Sequence, residues 1–273
     1  MMENVKFYDI KNYYYVHTGH RIGLDRFRRA CTIIRALGDT DITLLCSDYR
    51  IAQIARDFGV EKSLGLDLVR NIPQIAKNGD NLVFDSDEAN PIMLEDMRNY
   101  FSKFIHIKND EVIVDEKYFE QKEKTIEISY FFGDDDYEKD LEKNIAFVKD
   151  LNPDLLLGFY YFLDYEDSLK EQFKNHHDFE DYDEVIQKSK ILISASPQAI
   201  LESLASGAKP IYIQREDYVT DFLDVFKALN IPIITNYNKE ELIEVISSIN
   251  TRNYSKIAKN SNNLIQSIKE NLN

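Results

Sequence analysis

The sequence predicts a two-domain α/β protein, and three observations support this prediction. Short apolar runs of strand length alternate with helical patterns along the chain. The chain has 273 residues, of which 44% are apolar, so it can bury one large or two medium cores. The stretch KILISASPQAILESLASGAKPIYIQR, which begins at Lys190, predicts a strand, a helix and a second strand in direct succession.

That strand–helix–strand unit has a turn signal at each boundary. The apolar run 190–194 has the length of a strand, and Ser196 and Pro197 are typical of a helix N-cap and first helical position. Gly207 stands where a left-handed C-terminal cap is needed, before a strand at 211–213. The unit is therefore predicted to place a helix N-terminus at the carboxyl edge of a parallel sheet.

A helix N-terminus at such an edge favours anions. Its first N–H groups lack partners within the helix, and its dipole is positive there, so a diphosphate can bind without a basic side chain. Glu202 lies about a turn and a half into the helix, near enough to accept hydrogen bonds from a ribose. The alternative is that Ser196 only caps the helix and that Glu202 is solvated.

The N-terminal half alternates strands and helices. Strands are predicted at 5–8, 13–16, 42–46, 81–84 and 104–107. Helices are predicted at 26–37, 49–58, 67–77 and 95–104. The charged stretch 108–124 is short of core residues and is predicted to connect two domains, 1–118 and 119–273.

The C-terminal half opens with its own strand. Besides the unit described above, strands are predicted at 125–132, 155–159 and 231–235. Helices are predicted after the turn at 133–136, with Leu141, Ile145 and Val148 on the apolar face, and at 164–173, 182–188, 217–229 and from 239 onward. The last helix is amphipathic, and it could pack back across the domain junction.

Composition excludes several classes of function. The formal net charge of −15 would repel a nucleic-acid backbone, so no nucleic-acid partner is expected. Cys31 and Cys46 are the only cysteines, without CxxC or zinc-site spacing, which suits a reducing compartment. No signal peptide or apolar run of about 18 residues is found, so we expect a cytoplasmic protein without a membrane span. The oligomeric state does not follow from the sequence.

Four stretches together resemble a known family. They are RIGLDRFRRACTII (21–34), FDSDEANP (84–91), SYFFGDDD (129–136) and ISASPQAILESLASGAKPIYIQ (193–214). In this order they are similar to the small GT-B-like sugar-nucleotide proteins typified by the UDP-sugar hydrolase of pseudaminic acid biosynthesis, which are kin to family 28 glycosyltransferases. The resemblance spans nearly the whole chain, and the fourth stretch is its most specific part.

The resemblance implies an α/β fold of two Rossmann-like domains facing across a cleft. The nucleotide diphosphate would lie on the C-terminal domain and the sugar against the N-terminal loop, with no further cofactor. The diphosphate would contact Ser194, Ala195, Ser196, Pro197 and Gln198. Glu202 would hold the ribose, and Gly133 and Asp134 would line the cleft.

The opening loop departs from the family pattern at its catalytic position. Alignment of Gly23 and Arg29 with the ends of the motif Gly-x-Gly-His-x-x-Arg places Arg26 where the catalytic His belongs. A guanidinium cannot take a proton from water at neutral pH, although it can hold a phosphate or carboxylate. The base could instead be a loop histidine, His17 or His20, or Asp25 with a raised pKa. The candidate catalytic residues are therefore His20, Asp25 and Arg26.

Two charged clusters have alternative explanations. Arg26, Arg28 and Arg29 are unfavourable at the start of a helix unless they face an anion, but they could also pair with Asp25 and Asp48. The acidic turns 85–88 and 134–136 could bind a divalent cation, but neither has the spacing of a calcium loop. We therefore predict no metal site.

The sequence leads to one functional prediction and two alternatives. The protein is predicted to bind a nucleotide-activated sugar, UDP-linked, and to hydrolyse it or transfer the sugar in bacterial surface-glycan or nonulosonic-acid metabolism. One alternative is a non-catalytic binding or regulatory homologue that lost the catalytic His. The other is a doubly wound fold unrelated to sugar nucleotides, which a helix N-terminus blocked by side chains would support.

Overall fold

The computed structural model describes residues 9–19, 21–161, 163–259 and 263–272, and the chain folds into two compact units. The first comprises Met1–Thr18, Ala30–Asn109 and Asn262–Asn273. The second comprises Gly19–Arg29 and Asp110–Ser261. The loop after the first strand and the first residues of the helix that follows it are thus grouped with the C-terminal unit.

Each unit contains a parallel sheet. The strands of the first are β1 (Asn12–Val16), β2 (Ile42–Cys46), β3 (Ser63–Gly65), β4 (Asn81–Asp85) and β5 (Lys103–His106). Those of the second are β6 (Ile126–Phe131), β7 (Asp154–Leu156), β8 (His176–His177), β9 (Ser189–Ser194), β10 (Lys209–Gln214) and β11 (Ile233–Thr235). The spatial orders are β3-β2-β1-β4-β5 and β8-β7-β6-β9-β10-β11, which is the Rossmann order in both cases.

Helices connect these strands. The α-helices of the described residues are α1 (Asp25–Ala36), α2 (Tyr49–Ile54), α3 (Pro91–Tyr100), α4 (Asp140–Lys143), α5 (Leu163–Lys170), α6 (Tyr182–Lys188), α7 (Pro197–Ala205), α8 (Leu223–Ala228), α9 (Lys239–Ser248) and α10 (Asn263–Leu272). Helix α10 packs on strand β5 of the first unit. The parallel crossover from β9 through α7 to β10 is the unit that the sequence predicted most clearly.

The C-terminal sheet is buried on both faces. Along β9, Ile191 and Ile193 belong to one core cluster, whereas Leu192, which points the other way, belongs to a second cluster that includes residues of α7. Strand β6 alternates in the same manner, with Tyr130 on the first face and Phe131 on the second. This two-sided burial explains why the strands appear in the sequence as continuous apolar runs.

Several predicted boundaries are wrong in the N-terminal unit. The helix predicted at 67–77 is a 3₁₀ helix at Val69–Gln74, because Pro73 lies inside it and cannot donate an α-helical hydrogen bond. The helix predicted at 95–104 begins at Pro91, after the N-cap Asn90, and ends at Tyr100. The short edge strand β3 was not predicted, and the strand predicted at 5–8 lies outside the described residues.

The C-terminal unit also differs from its prediction in places. The helix predicted after the turn at 133–136 is α only at Asp140–Lys143 and continues as 3₁₀ turns. The helix predicted at 217–229 is confined to α8. The stretch 108–124 does contribute to the core, since Ile113, Val114 and Tyr118 are buried.

Asp80 links the residue before β1 to the turn before β4 in the N-terminal unit. It is buried, and its carboxylate accepts hydrogen bonds from the backbone N–H of Lys11 at 3.0 Å and of Lys77 at 2.8 Å. We expect Asp80→Ala to lower the free energy of unfolding by about 1–3 kcal/mol, since both N–H groups lose this acceptor. Urea denaturation of the variant and of Asp57→Ala, an exposed control, measures this difference. Equal stability of the two variants would contradict the prediction.

Candidate functional site

A small pocket lies at the carboxyl edge of the C-terminal sheet. Strands β6 and β9 are neighbours there, and the strand order reverses between them, which is where doubly wound folds bind ligands. The pocket is lined by residues that include Gly23, Asp25, Gly133, Asp134, Ser196 and Arg215. Asp25, Gly133 and Ser196 were predicted as site residues from the sequence, and all belong to the C-terminal unit.

Ser196 caps helix α7 as predicted. Its hydroxyl oxygen accepts a hydrogen bond from the N–H of Ala199 at 3.1 Å. The Asp25 carboxylate is also at this helix end, accepting hydrogen bonds from the Ser196 hydroxyl at 2.6 Å and the Gln198 N–H at 3.3 Å. A side chain of the protein thus contacts the helix N-terminus at which an anion was predicted.

The other backbone donors of this turn also have partners. The N–H of Ser196 donates to the hydroxyl of Ser194 at 3.0 Å, and the N–H of Ala195 donates to the carbonyl of Phe131 at 3.3 Å. Pro197 has no N–H to offer. The predicted diphosphate donors are therefore engaged within the protein, as expected if the Ser196 turn is structural.

The surroundings of Asp25 shift the pKa of its carboxyl in both directions. Burial raises the pKa of its carboxyl above the ordinary value, and the neighbouring negative charge of Asp134 raises it further. The hydrogen bonds from Ser196 and Gln198 and the positive charge of Arg28 act in the opposite direction. A raised pKa is the property that a carboxylate needs to exchange protons near neutral pH.

Arg28 and Asp134 form a buried, bidentate ion pair. One Arg28 nitrogen donates to Asp134 at 2.9 Å, and a second donates to its other carboxylate oxygen. Arg28 is only 4% exposed, and its guanidinium lies 3.9 Å from the centre of the Tyr182 ring. The sequence had offered Asp25 and Asp48 as its partners; the bidentate partner is instead Asp134.

Arg215 is a pocket residue that the sequence analysis did not single out. It is 5% exposed, donates to both carboxylate oxygens of Asp217 at 2.8 and 2.6 Å, and donates to the carbonyl of Asp135 at 2.8 Å. These contacts use three of its five N–H donors. A basic residue directly after strand β10, beside the strand ends assigned to the site, was the signal that could have identified it.

Glu202 is buried rather than solvated. It is 2% exposed, and its two carboxylate oxygens accept hydrogen bonds from the Tyr182 hydroxyl at 2.7 Å and the Gln198 side chain at 2.8 Å. Burial raises its pKa to about 7. The alternative of a solvated Glu202 is wrong, and its contact with a ribose stays a prediction that requires exchange of these protein bonds.

Ala195, another predicted site residue, also lines the pocket, whereas Arg26 does not. Arg26 is half-buried, and Arg29 is buried with a hydrogen bond to the carbonyl of Glu111 at 3.4 Å. His20 lies outside the described residues. Its role as a base therefore stays a prediction.

The acidic turns are engaged in local hydrogen bonds. Asp136 accepts from the N–H groups of Asp140 and Leu141 at 2.7 and 3.0 Å. In the N-terminal unit, Asp87 contacts a ring nitrogen of His17 at 2.9 Å. Within the described part of the chain, no group of three or more His, Cys, Asp or Glu side chains could hold a metal ion.

Several solved structures have a fold similar to that of this chain. No protein-family model and no curated protein sequence matches the chain. The UDP-GlcNAc 2-epimerase of Methanocaldococcus jannaschii, in complex with UDP-GlcNAc and UDP, is 10% identical with a TM-score of 0.61, over 96% of this chain and 99% of that one. MurG of Acinetobacter baumannii is 10% identical with a TM-score of 0.54, over 96% and 99%.

A third similar structure is spinosyn rhamnosyltransferase SpnG with spinosyn aglycone, 7% identical with a TM-score of 0.54, over 88% of this chain and 92% of that one. Identities this low establish the fold alone. The chain has a GT-B-like fold of two Rossmann-like domains. No helix of the described residues is both long enough and apolar enough to cross a membrane.

The Arg28–Asp134 pair should be important for stability. We expect Asp134→Asn to lower the free energy of unfolding by about 3–5 kcal/mol, because it leaves a buried guanidinium without its countercharge. Asp224→Asn is the matched control, since Asp224 pairs with Lys227 on the exposed face of α8 and should change stability by less than about 0.5 kcal/mol. Urea denaturation compares the two variants, and similar losses would refute the assignment.

Glu202 should make stability depend on pH. Its pKa is about 7 in the folded chain and near 4.5 when unfolded, so between these values the folded state binds more protons. Stability should therefore fall as pH rises from about 4.5 to 7, by up to about 3 kcal/mol. Glu202→Gln should flatten this slope in denaturation at several pH values. Asp25, whose pKa is also raised, should leave a residual slope.

The exposed control Glu244→Gln should keep the wild-type slope. An unchanged slope in Glu202→Gln would show that Glu202 is ionised in the folded protein at this pH.

Proposed function

We propose that the chain binds a nucleotide-activated sugar, UDP-linked, at the carboxyl edge of its C-terminal sheet. The observation that carries this proposal is the pocket at the switch point, where Gly133, Ser196 and Arg215 converge. An epimerase of similar fold is known in complex with UDP-GlcNAc and UDP, which supports the same ligand class here. The resemblance of the segment 193–214 to sugar-nucleotide proteins supports it further.

The diphosphate is the part of the ligand that this edge suits best. The dipole of α7 and the cap hydroxyl of Ser196 favour negative charge, and Arg215, although paired with Asp217, presents a planar array of donors. Gly133 has φ +130°, and a Cβ built on it would be 3.8 Å from a guanidinium nitrogen of Arg215. A glycine here lets the phosphate approach both the backbone and the guanidinium.

We assign the proton transfer to Asp25, with His20 as the other candidate base. In hydrolysis, a water oxygen bonds to the anomeric carbon as the bond from that carbon to the diphosphate oxygen breaks. Asp25 takes the water proton, and UDP leaves with the bonding electrons. In transfer, an acceptor hydroxyl replaces the water. Arg26 holds a phosphate or carboxylate of the ligand, since it cannot act as a base.

We place this activity in the cytoplasm, in bacterial surface-glycan or nonulosonic-acid metabolism. This context depends on the resemblance to the pseudaminic acid hydrolase family. The sugar that the site accepts would identify the pathway. To find that sugar, the release of UDP is measured with a panel of UDP-hexoses and UDP-N-acetylhexosamines.

A non-catalytic binding protein is the second candidate. Arg26 stands at the position of the family's catalytic His, and the carboxylate of Asp25 is hydrogen-bonded to Ser196 and Gln198. Tight UDP binding without UDP release from any sugar nucleotide of the panel would favour this candidate over an enzyme.

Arg215 provides the first test of the site. We expect UDP at about 100 times its dissociation constant to add roughly 2.7 kcal/mol to the apparent stability of the wild type. Arg215→Gln should bind UDP at least about tenfold more weakly, because the phosphates lose a charge-assisted partner. Isothermal titration calorimetry measures both affinities. Arg252→Gln, which changes an exposed arginine of the same unit, should bind UDP as the wild type does.

Uridine separates phosphate recognition from folding damage. Because uridine lacks phosphates, Arg215→Gln should bind it as the wild type does. Absence of binding to UDP, CMP, GDP and UDP-N-acetylhexosamines by the wild type would overturn the proposed function. An unchanged affinity of Arg215→Gln for UDP would remove Arg215 from the site.

A further inference from the structure

A carboxylate of the chain lies where a ligand phosphate is expected. The two oxygens of Asp25 accept one hydrogen bond from the Ser196 hydroxyl and one from the Gln198 N–H. A phosphate oxygen at the N-terminus of α7 would need these same donors. An incoming anion therefore cannot accept hydrogen bonds from the Ser196 hydroxyl and the Gln198 N–H while Asp25 accepts them.

The contact joins distant parts of the sequence within one unit. Asp25 and Ser196 are 171 residues apart, yet both belong to the C-terminal unit. The segment that carries Asp25 is also fixed there by Arg28, which pairs with Asp134, and by Ile22, whose carbonyl accepts from the Tyr218 hydroxyl at 3.1 Å. The segment can thus remain bound to the unit when the Asp25 side chain alone changes its partner.

Asp25 has a second place for its charge. It is the first residue of α1, so a side chain that leaves α7 can lie beside the first-turn N–H groups of its own helix. Rotation about the side-chain torsions moves the carboxylate between these positions, without unfolding of the backbone. Burial raises the pKa of Asp25, which means that the charged carboxylate is disfavoured at α7. An anion that makes stronger interactions with the helix end can therefore replace it there.

We propose that Asp25 is an internal competitor of the ligand, which occupies the α7 N-terminus in the free protein and is displaced by a phosphate of the ligand. This inference rests on the proposed function and adds its regulation. The apparent affinity equals the intrinsic affinity multiplied by the fraction of molecules in which Asp25 leaves the helix end uncovered. Displacement also releases the carboxylate from Ser196 and Gln198, so that phosphate binding makes Asp25 available for the proton transfer assigned to it.

Removal of the carboxylate tests the proposal directly. Calorimetric titrations with UDP and with inorganic pyrophosphate compare the wild type with Asp25→Ala and Asp25→Asn. We expect Asp25→Ala to bind both probes about tenfold more tightly, because the helix end is no longer occupied. Asp25→Asn should gain less, since its side-chain oxygen can still accept one hydrogen bond.

Glu138→Gln is the matched control for charge. It also removes one negative charge, and Glu138 contacts Arg21, a residue of the pocket wall, but not α7. Its affinities should equal those of the wild type, whereas a gain as large as that of Asp25→Ala would show a general field effect and overturn the proposal. Thermal unfolding of each variant shows that it is folded, and Asp25→Asn keeps the side-chain volume if Asp25→Ala is unstable.

The outcomes distinguish this inference from the function on which it rests. Binding of UDP by the wild type with equal or weaker binding by both Asp25 variants would overturn the competitor role and leave the nucleotide site standing. If neither the wild type nor any variant binds UDP, the proposed function itself is overturned. Tighter binding by Asp25→Ala alone, or by both Asp25 variants, supports the competitor role.

Discussion

The C-terminal unit depends on one buried charge pair, that of Arg28 with Asp134. A guanidinium withdrawn from water needs a countercharge and hydrogen bonds, and Asp134 supplies both in bidentate geometry while Tyr182 covers one face. The pair fixes two otherwise separate pieces of chain, the start of α1 and the loop after β6, at the same sheet edge. It thereby places Asp25, three residues before Arg28, within reach of α7.

At the carboxyl edge of this sheet, positive side chains are consequently paired with negative ones, and the edge does not carry an excess of positive charge. Asp25 and Asp134 supply negative charge, and Arg28 and Arg215 supply positive charge, with Asp217 as a further partner of Arg215. An incoming anion must therefore exchange with carboxylates that are already bound. Under the proposed function, such a site would select a phosphate in a protein of net charge −15 through its local donors rather than through the overall field.

The sequence predicted well what local signals determine. Ser196, Pro197 and Gly207 each lie in the conformation that their residue types favour, so α7 and its flanking strands were predicted closely. The 3₁₀ helix at Val69–Gln74 was missed although Pro73 is a local signal against an α-helix. Other failures occurred where tertiary contacts decide, as in the stretch 108–124, in which Val114 and Tyr118 are buried in the core. The Asp25–Ser196 contact could not be predicted, and neither could the ion pair and carbonyl contact of Arg215, because each depends on partners that only the folded sheet brings together.

The contact between Asp25 and α7 leaves the N-terminus of this helix capped and hydrogen-bonded in the free protein. A helix N-terminus with unsatisfied donors costs stability in the free protein, so an internal carboxylate stabilises the fold at the position where the proposed function requires an anion. Under that proposal the same side chain also sets the ligand affinity, because it must leave before a phosphate can bind. Arg26 adds to this dependence. Since a guanidinium cannot act as a base, the proposed reaction would require a proton acceptor such as Asp25, and the carboxylate would serve there only after the ligand had displaced it. The proposed function and the competitor role would therefore couple stability, affinity and chemistry at this site through one residue, Asp25.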